Sequence, residues 1–269
     1  MKISRITKQK RANRYNIFIT KNNKESFGFG VDEDILVQHH LHKGMQLSDE
    51  LIETLKKLDH LNKYYHQAIN YLSYRMRSRF EIEQYLRRKE VESPHLAEII
   101  SRLDNEGLID DREFAFAFVR QRINQSTKGP QFVKQELTQQ KGISNHIATE
   151  AVEQFTFSIQ FDLAMKTAQR HIRRTSKDSL QKRLQKLQAA LTRNGFYSDV
   201  IKEVIQESRQ LMQNDHDESE ALKIHGKRLL QRHQRNLTGR ELANKIKEGL
   251  YRQGFSFEQI NQFIAKHLE

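Results

Sequence analysis

RNGFYSDVIKEVI, residues 193–205, and RQGFSFEQINQFI, residues 252–264, share one arrangement: a helix closes on glycine, an apolar residue follows, and a second helix begins. QKGISNHIATEAV at 140–152 keeps the same frame, and RKEVESPHLAEII at 88–100 keeps it with Glu90 in the glycine position. Gly142, Gly195 and Gly254 suit the left-handed backbone that ends a helix. Val91, Ile143, Phe196 and Phe255 suit the apolar contact one residue beyond it. Four copies of one junction define an internal repeat, in which each unit stacks on its neighbours to share a core.

Two more helical segments precede each junction, and their boundary recurs as well. Ser78-Arg79-Phe80-Glu81 and Thr238-Gly239-Arg240-Glu241 are hydroxyl caps with a glutamate three residues on, while Gly129-Pro130 and Ser176-Lys177-Asp178 mark the same point in the second and third copies. Each unit reads helix, tight turn, helix, glycine turn, helix, which divides the chain at 63–107, 108–157, 158–213 and 214–269. From Tyr64 onward apolar residues recur at helical spacing, and only 2 prolines and 11 glycines interrupt the chain. A unit of roughly 45 to 60 residues buries little alone. The expected fold is therefore mainly α: tandem three-helix modules in an elongated, curved array.

Residues 1–62 read differently. ISRITKQ, RYNIFIT and SFGFGV alternate apolar with polar residues around the turn-like KRAN and KNNKE, so a small β-stranded N-terminal region is expected. Two helices follow it, DEDILVQHHLH and SDELIETLKKLDHL, the second capped by Ser48 with Asp49 and Glu50 in its first turn.

The 269 residues are 36% apolar with 9% aromatics, which fits several thin modules better than one thick core. Lys and Arg outnumber Asp and Glu by 46 to 34, a formal +12, so a polyanionic partner is expected, nucleic acid or an acidic protein surface. The absence of cysteine excludes disulfides and thiolate metal sites and suits a reducing cytoplasm. The basic start MKISRITKQKR leads into no apolar run, and the longest such run, Phe114 to Val119, is too short for a bilayer. A soluble, cytoplasmic monomer without a membrane partner is expected.

Within that charge lie stripes. Lys166, Arg170, Arg173 and Arg174 fall at i, i+4, i+7 and i+8 on one helix face, with Ala164, Ala168 and Ile172 on the buried side. Residues 165–186 carry eight bases, Lys177, Lys182, Arg183 and Lys186 included, against the single acid Asp178. Arg228, Arg232 and Arg235 repeat the pattern beside Lys223 and Lys227. A merely solvated face would mix signs, and self-repulsion on an unmixed stripe is relieved by an anionic partner. Of these, Lys166, Arg170, Arg173, Arg174, Lys182, Arg183, Arg228, Arg232 and Arg235 form, with Arg75, Arg79, Arg120, Arg122 and Lys134, the expected partner or DNA surface. The acids gather instead at 104–113 and 215–220.

Catalytic alternatives are thin. Asp110 and Asp111, in GLIDDREFAFAFV at 107–119, could hold metal for a nuclease only with a further carboxylate or histidine in the same cleft; Asp110-Asp111-Arg112-Glu113 reads more simply as the cap of the helix carrying Phe114, Ala117 and Phe118. His39, His40 and His42 lack partners to complete a tetrahedral site. Phe27-Gly28-Phe29-Gly30 lies in a strand pattern with neither a further glycine nor a Lys-Ser/Thr pair behind it, so it cradles no phosphate. No catalytic residue, metal or cofactor is expected.

The run EIISRLDNEGLIDDREFAFAFVRQRINQSTKGPQFVKQELTQQKGISNHIATEAV, residues 98–152, resembles the signature region of the RecX family. Its marks are a leucine-rich helix end, Gly-Leu-Ile-Asp-Asp, Phe-Ala with a following basic helix, a Lys-Gly turn and a helix closing on Lys-Gly-Ile. The signature covers about a fifth of the chain, and the third and fourth modules lack its Asp-Asp and Phe-Ala elements; the tandem modules and stranded N-terminus are also similar to longer members. The resemblance implies a non-enzymatic regulator that lies along the groove of the RecA filament on single-stranded DNA and dampens ATP hydrolysis, strand exchange and coprotease activity, hence a place in recombination, DNA repair and the SOS response. A sequence-independent nucleic-acid-binding protein without a recombinase partner fits the charge equally well.

Overall fold

The structure, a computed structural model, describes residues 1–10, 13–22, 24–174, 177–212 and 215–268; of Arg174, Asp215, His216 and Asp217 it describes only the backbone. The chain forms two compact units, Met1–Phe114 and Ala115–Glu269.

In the first unit, β1 (Lys2–Lys8), β2 (Arg14–Lys21) and β3 (Lys24–Asp32) form an antiparallel meander in the order β1-β2-β3. The period-two pattern puts Ile3, Ile17, Phe29 and Val31 inside. Asp32 then caps the short α1 (Glu33–Gln38), its side chain accepting from the Asp34 N–H. The helix expected to reach His42 stops at Gln38, because His40 takes φ 49° and the Leu41 N–H returns to the Leu36 carbonyl, turning Leu41 into the core. His39 and His42 therefore share no helix face.

A second difference follows. The helix expected to end near Leu61 is one continuous α2 (Asp49–Ser73), opened by Ser48 accepting from the Leu51 N–H. No glycine or proline interrupts it. Its first half, through Ile52 and Leu55, completes the core under the sheet. Its second half, through Leu61, Tyr65 and Ala68, packs with α3 (Arg79–Arg87) and α4 (Ser93–Asn105), which contribute Ile82, Leu86, Leu96, Ile99 and Leu103. One helix thus serves two cores. Arg102 lies 3.7 Å from the centre of the Tyr65 ring, and burial together with its hydrogen bond to Glu106 pushes the Tyr65 phenol up to about 12.

The second unit takes up the chain within α5 (Asp111–Gln125) and continues through α6 (Pro130–Gln135), a π-helical turn at Glu136–Gln140 and α7 (Asn145–Val152). Two further three-helix modules follow, α8 (Phe157–Arg174), α9 (Leu180–Arg193) and α10 (Ser198–Met212), then α11 (Asp215–His233), α12 (Gly239–Arg252) and α13 (Phe257–Leu268). Phe114, Ala115 and Val119 of α5 are buried, while Ala117 and Phe118 are half-buried.

The junctions take the expected form. Gly142, Gly195 and Gly254 have φ of 67°, 83° and 90°, and Glu90 adopts 60° in the first copy. The next N–H returns to the helix: Val91 to the Leu86 carbonyl, Phe196 to Leu191 and Phe255 to Leu250. Ile143 reaches one residue further, to Leu137, because the π turn adds a residue to the coil. Val91, Ile143, Phe196 and Phe255 are all buried.

The caps follow the pattern less uniformly. At Ser78 the reciprocal box with Glu81 is complete. Thr238 stands at the N-cap of α12 but accepts no backbone hydrogen bond, so the box read there does not form; Gly239 at φ 53° opens the turn instead. In the third module Ser176 lies outside the described residues, and α9 is capped by Ser179, which accepts from the Lys182 N–H.

Candidate partner interface

The joints between modules determine which charged groups remain for a partner. Asp110 caps α5, its Oδ1 accepting from the Glu113 N–H at 2.8 Å. Asp111 does something else: its Oδ1 accepts from the Arg79 N–H at 2.8 Å, at the start of α3 in the preceding module. The same device recurs in the second unit, where Glu218 of α11 accepts from the Leu180 N–H at the start of α9, at 2.7 Å. In both cases a carboxylate from the first helix of one module satisfies an orphan donor on the second helix of the module before it.

Burial raises the pKa of Asp111 above the ordinary aspartate value, the bond from Arg79 only partly opposing it, and burial likewise raises Glu218. A raised folded-state pKa means that the folded chain holds the proton more tightly. The associated stability is full below the unfolded value of 3.8 and is lost as pH rises through the folded value. Asp111→Asn keeps an acceptor without the charge. At neutral pH it is expected to be at least as stable as the parent, with a flatter stability profile from pH 4 to 7, whereas Asp111→Ala should lose about 1 kcal/mol. Urea titrations across that range check both.

A second element of the joint is the glycine turn. In the second unit, the turn ending α9 sits against the start of α6: the Gly129 N–H donates to the Asn194 carbonyl at 2.8 Å and the Gln131 N–H to the Gly195 carbonyl at 3.0 Å. The turn ending α12 meets the start of α9 in the same way, with the Ser179 hydroxyl and the Lys182 ammonium both donating to Gln253.

Against this frame the basic residues separate. Arg75 is held by Glu81 at 2.8 Å, Arg79 by Asp104 at 2.7 Å and Arg122 by Glu136 at 2.9 Å. Lys134 is half-buried, and Lys182 is engaged at the joint. Arg183 is a correction to the expected surface: it is only 2% exposed, its positive charge acting on the neighbouring Glu218. The helical spacing that placed it with Lys182 and Lys186 does not register that this side of α9 is buried, with His171 of α8 and Glu218 of α11 both within reach of its charge. Arg174 belongs to α8, but its side chain lies outside the described residues. Arg120, Lys166, Arg173, Arg228, Arg232 and Arg235 are exposed and form no ion pair among the described residues.

Lys166 and Arg170 come together with groups the stripe did not include. Two adjoining hollows, about 440 and 210 Å³, run between the end of α5, the loop Ser126–Gly129 and α8. They share Thr127 and Arg170; Lys128 and Lys166 line the larger, and Thr167, His171 and Asn194 the smaller. Arg170 donates to the Thr127 hydroxyl at 2.8 Å, and Lys128 to the Asn194 side chain at 3.1 Å while lying 4.3 Å from the centre of the Phe132 ring. Among the described residues, no carboxylate lines either hollow. Three cations, hydroxyls and amides without a competing acid form a surface suited to phosphate or carboxylate oxygens. Lys128 escapes a stripe argument because it lies in a loop; its only local signal is its place just before Gly129-Pro130.

Comparison with known proteins accounts for the whole architecture. Residues 1–48 match the regulatory protein RecX N-terminal domain, 65–103 the first RecX three-helix domain and 110–152 the second, while the third matches twice, at 158–205 and 216–264. The regulatory protein RecX of Oceanobacillus iheyensis is 46% identical over 270 residues, covering 100% of this chain and 98% of its own, and that of Halalkalibacterium halodurans 36% over 263 residues, covering 97% and 98%. A crystal structure of regulatory protein RecX aligns with a TM-score of 0.68 at 37% identity, covering 75% of this chain and 98% of its own; that of RecX from Lactobacillus salivarius aligns at 0.53 and 35%, covering 57% and 99%. The doubled match to the third domain explains why a fourth module stands in the chain, and with every module and the N-terminal sheet accounted for, the chain belongs to the RecX family of regulatory proteins.

Proposed function

We propose that this chain binds the filament formed by RecA on single-stranded DNA, along its groove, and inhibits RecA's ATP hydrolysis, strand exchange and coprotease activities. The supporting observation is the acid-free cleft of Lys128, Lys166 and Arg170, in a chain whose family is one of regulatory proteins. The cleft receives anionic groups of the filament, protein carboxylates or DNA phosphates, and exposed cations of α11 supply further weak contacts. Several weak contacts on one chain act together, since each bound module raises the effective concentration of the next. No step requires a nucleophile or general base.

The deciding measurement is RecA ATPase on single-stranded DNA with the protein below one copy per RecA protomer. Strong inhibition with weak affinity for bare DNA is expected. Unchanged hydrolysis, with tight and steeply salt-dependent binding to bare DNA, would instead identify a general nucleic-acid-binding protein, the reading that the same cleft also serves.

A further inference from the structure

The first unit holds a cluster that filament binding leaves unused. Asp32 ends β3, Asp34 lies in the first turn of α1 and His66 stands on α2. Their donor atoms converge: His66 Nε2 is 3.6 Å from Asp32 Oδ2 and 4.0 Å from Asp34 Oδ2, and one atom from each of the three lies within 4.8 Å of the others. Such separations are too long for hydrogen bonds. A zinc ion with ligands at about 2.0–2.2 Å holds them roughly 3.3 Å apart in a tetrahedron, so side-chain shifts of about 1 Å close the set. Asp34 and His66 are exposed and free to make that shift.

Asp32 supplies the fixed corner. The residue is only 8% exposed; its Oδ1 accepts from the Asp34 N–H and its own N–H donates to Asp59, while Oδ2 points at His66 and accepts no hydrogen bond among the described residues. On this side chain, 11% exposed, Oδ2 opens to the cleft beside the imidazole and keeps its lone pairs for a cation. Arg14, which lines the same cleft, is committed to Asp59 at 2.7 Å. Lys63 lines the same cleft of about 520 Å³, but its ammonium lies 5.8 Å from the centre of the Tyr64 ring. Asn70, one turn beyond His66, adds a neutral oxygen to the lining.

We propose that Asp32, Asp34 and His66 bind a divalent transition metal of the zinc class, with the remaining positions open to water. One imidazole nitrogen with two carboxylates favours such ions over magnesium, which takes oxygen ligands and sheds water reluctantly. Bound there, the ion links β3 and α1 to α2 and stabilises the folded state in proportion to its occupancy.

The test uses the full chain, stripped with chelator and titrated with zinc chloride by calorimetry and by thermal melts, with magnesium chloride in parallel. The chain has 12 histidines, so the assignment rests on variants. One equivalent of zinc that raises the melting temperature is expected, with affinity at least tenfold weaker in His66→Ala and in Asp34→Asn and unchanged in the His40→Ala/His42→Ala double variant. Both single changes fall on exposed side chains, and metal-free melts should match the parent; if one does not, the other decides. No zinc equivalent, an equivalent that both variants retain, or magnesium binding more tightly than zinc would each overturn the site.

Discussion

Gly195→Ala is expected to cost about 3–5 kcal/mol, while the same change at Gly107 costs about 1. Both residues hold left-handed backbone, at φ 83° and 68°, so both pay the strain of an L side chain. Only Gly195 also faces a wall. A Cβ there would lie 2.3 Å from the Phe132 backbone nitrogen and 2.8 Å from its Cβ, whereas at Gly107 nothing lies within 4 Å. Phe132 cannot withdraw cheaply, because two backbone hydrogen bonds, Gly129 to Asn194 and Gln131 to Gly195, hold the start of α6 against this turn. Gly129 completes the contact from the other side, its own added Cβ falling 2.5 Å from the Gly195 carbonyl oxygen. Urea unfolding of the two variants against the parent measures the difference. Equal losses would mean that the joint between these modules is looser than this packing.

The contrast between those glycines also shows where sequence reading reaches and where it stops. A helix that ends on glycine and turns an apolar residue inward is a local event, settled by a few consecutive residues, so the repeated junctions were legible, even where Glu90 replaces glycine. The strands were legible for the same reason, through period-two alternation. What the glycine turn meets was not legible: Asn194 and Gly129 are far apart in the chain, and nothing in either neighbourhood names the other. The same holds for Asp111. Its place beside Asp110 reads as a cap on α5, yet its bond goes back to Arg79 on α3. The break expected near Leu61 failed for a different reason. The boundary between two cores need not coincide with a break in the helix that serves both, and α2 runs through it.

For the interface, helical spacing identified charge but not commitment. It set Arg183 on a stripe with Lys182, though it is buried, and it gave Arg75, Arg79 and Arg122 the same weight as Lys166, though each of the three is held by a carboxylate. An exposed arginine already paired contributes little new attraction to a partner, because binding must first displace the pair. The acid-free cleft emerges only when the loop Ser126–Gly129 is brought beside α8.

Reversing Lys166, Arg170 and Arg173 to glutamate is expected to weaken inhibition of RecA's ATPase at least tenfold, with helical content unchanged by circular dichroism. All three side chains are exposed on α8, and none forms an ion pair among the described residues, so the change should leave folding intact. At the cleft it does two things: it removes attraction to the partner's anions and places carboxylates against them. If the partner groups are phosphates of the single strand, loss of three contacts also lowers the salt slope of binding by roughly 2, at about 0.7 per contact; protein carboxylates give no such fixed decrement. The matched control is reversal of Arg228, Arg232 and Arg235, which changes net charge by the same amount on α11 and the turn after it, away from the residues that line this cleft. Inhibition should fall less there. Equal losses would show that net charge, not the cleft, governs binding, and full inhibition by the α8 variant would remove the cleft from the interface altogether.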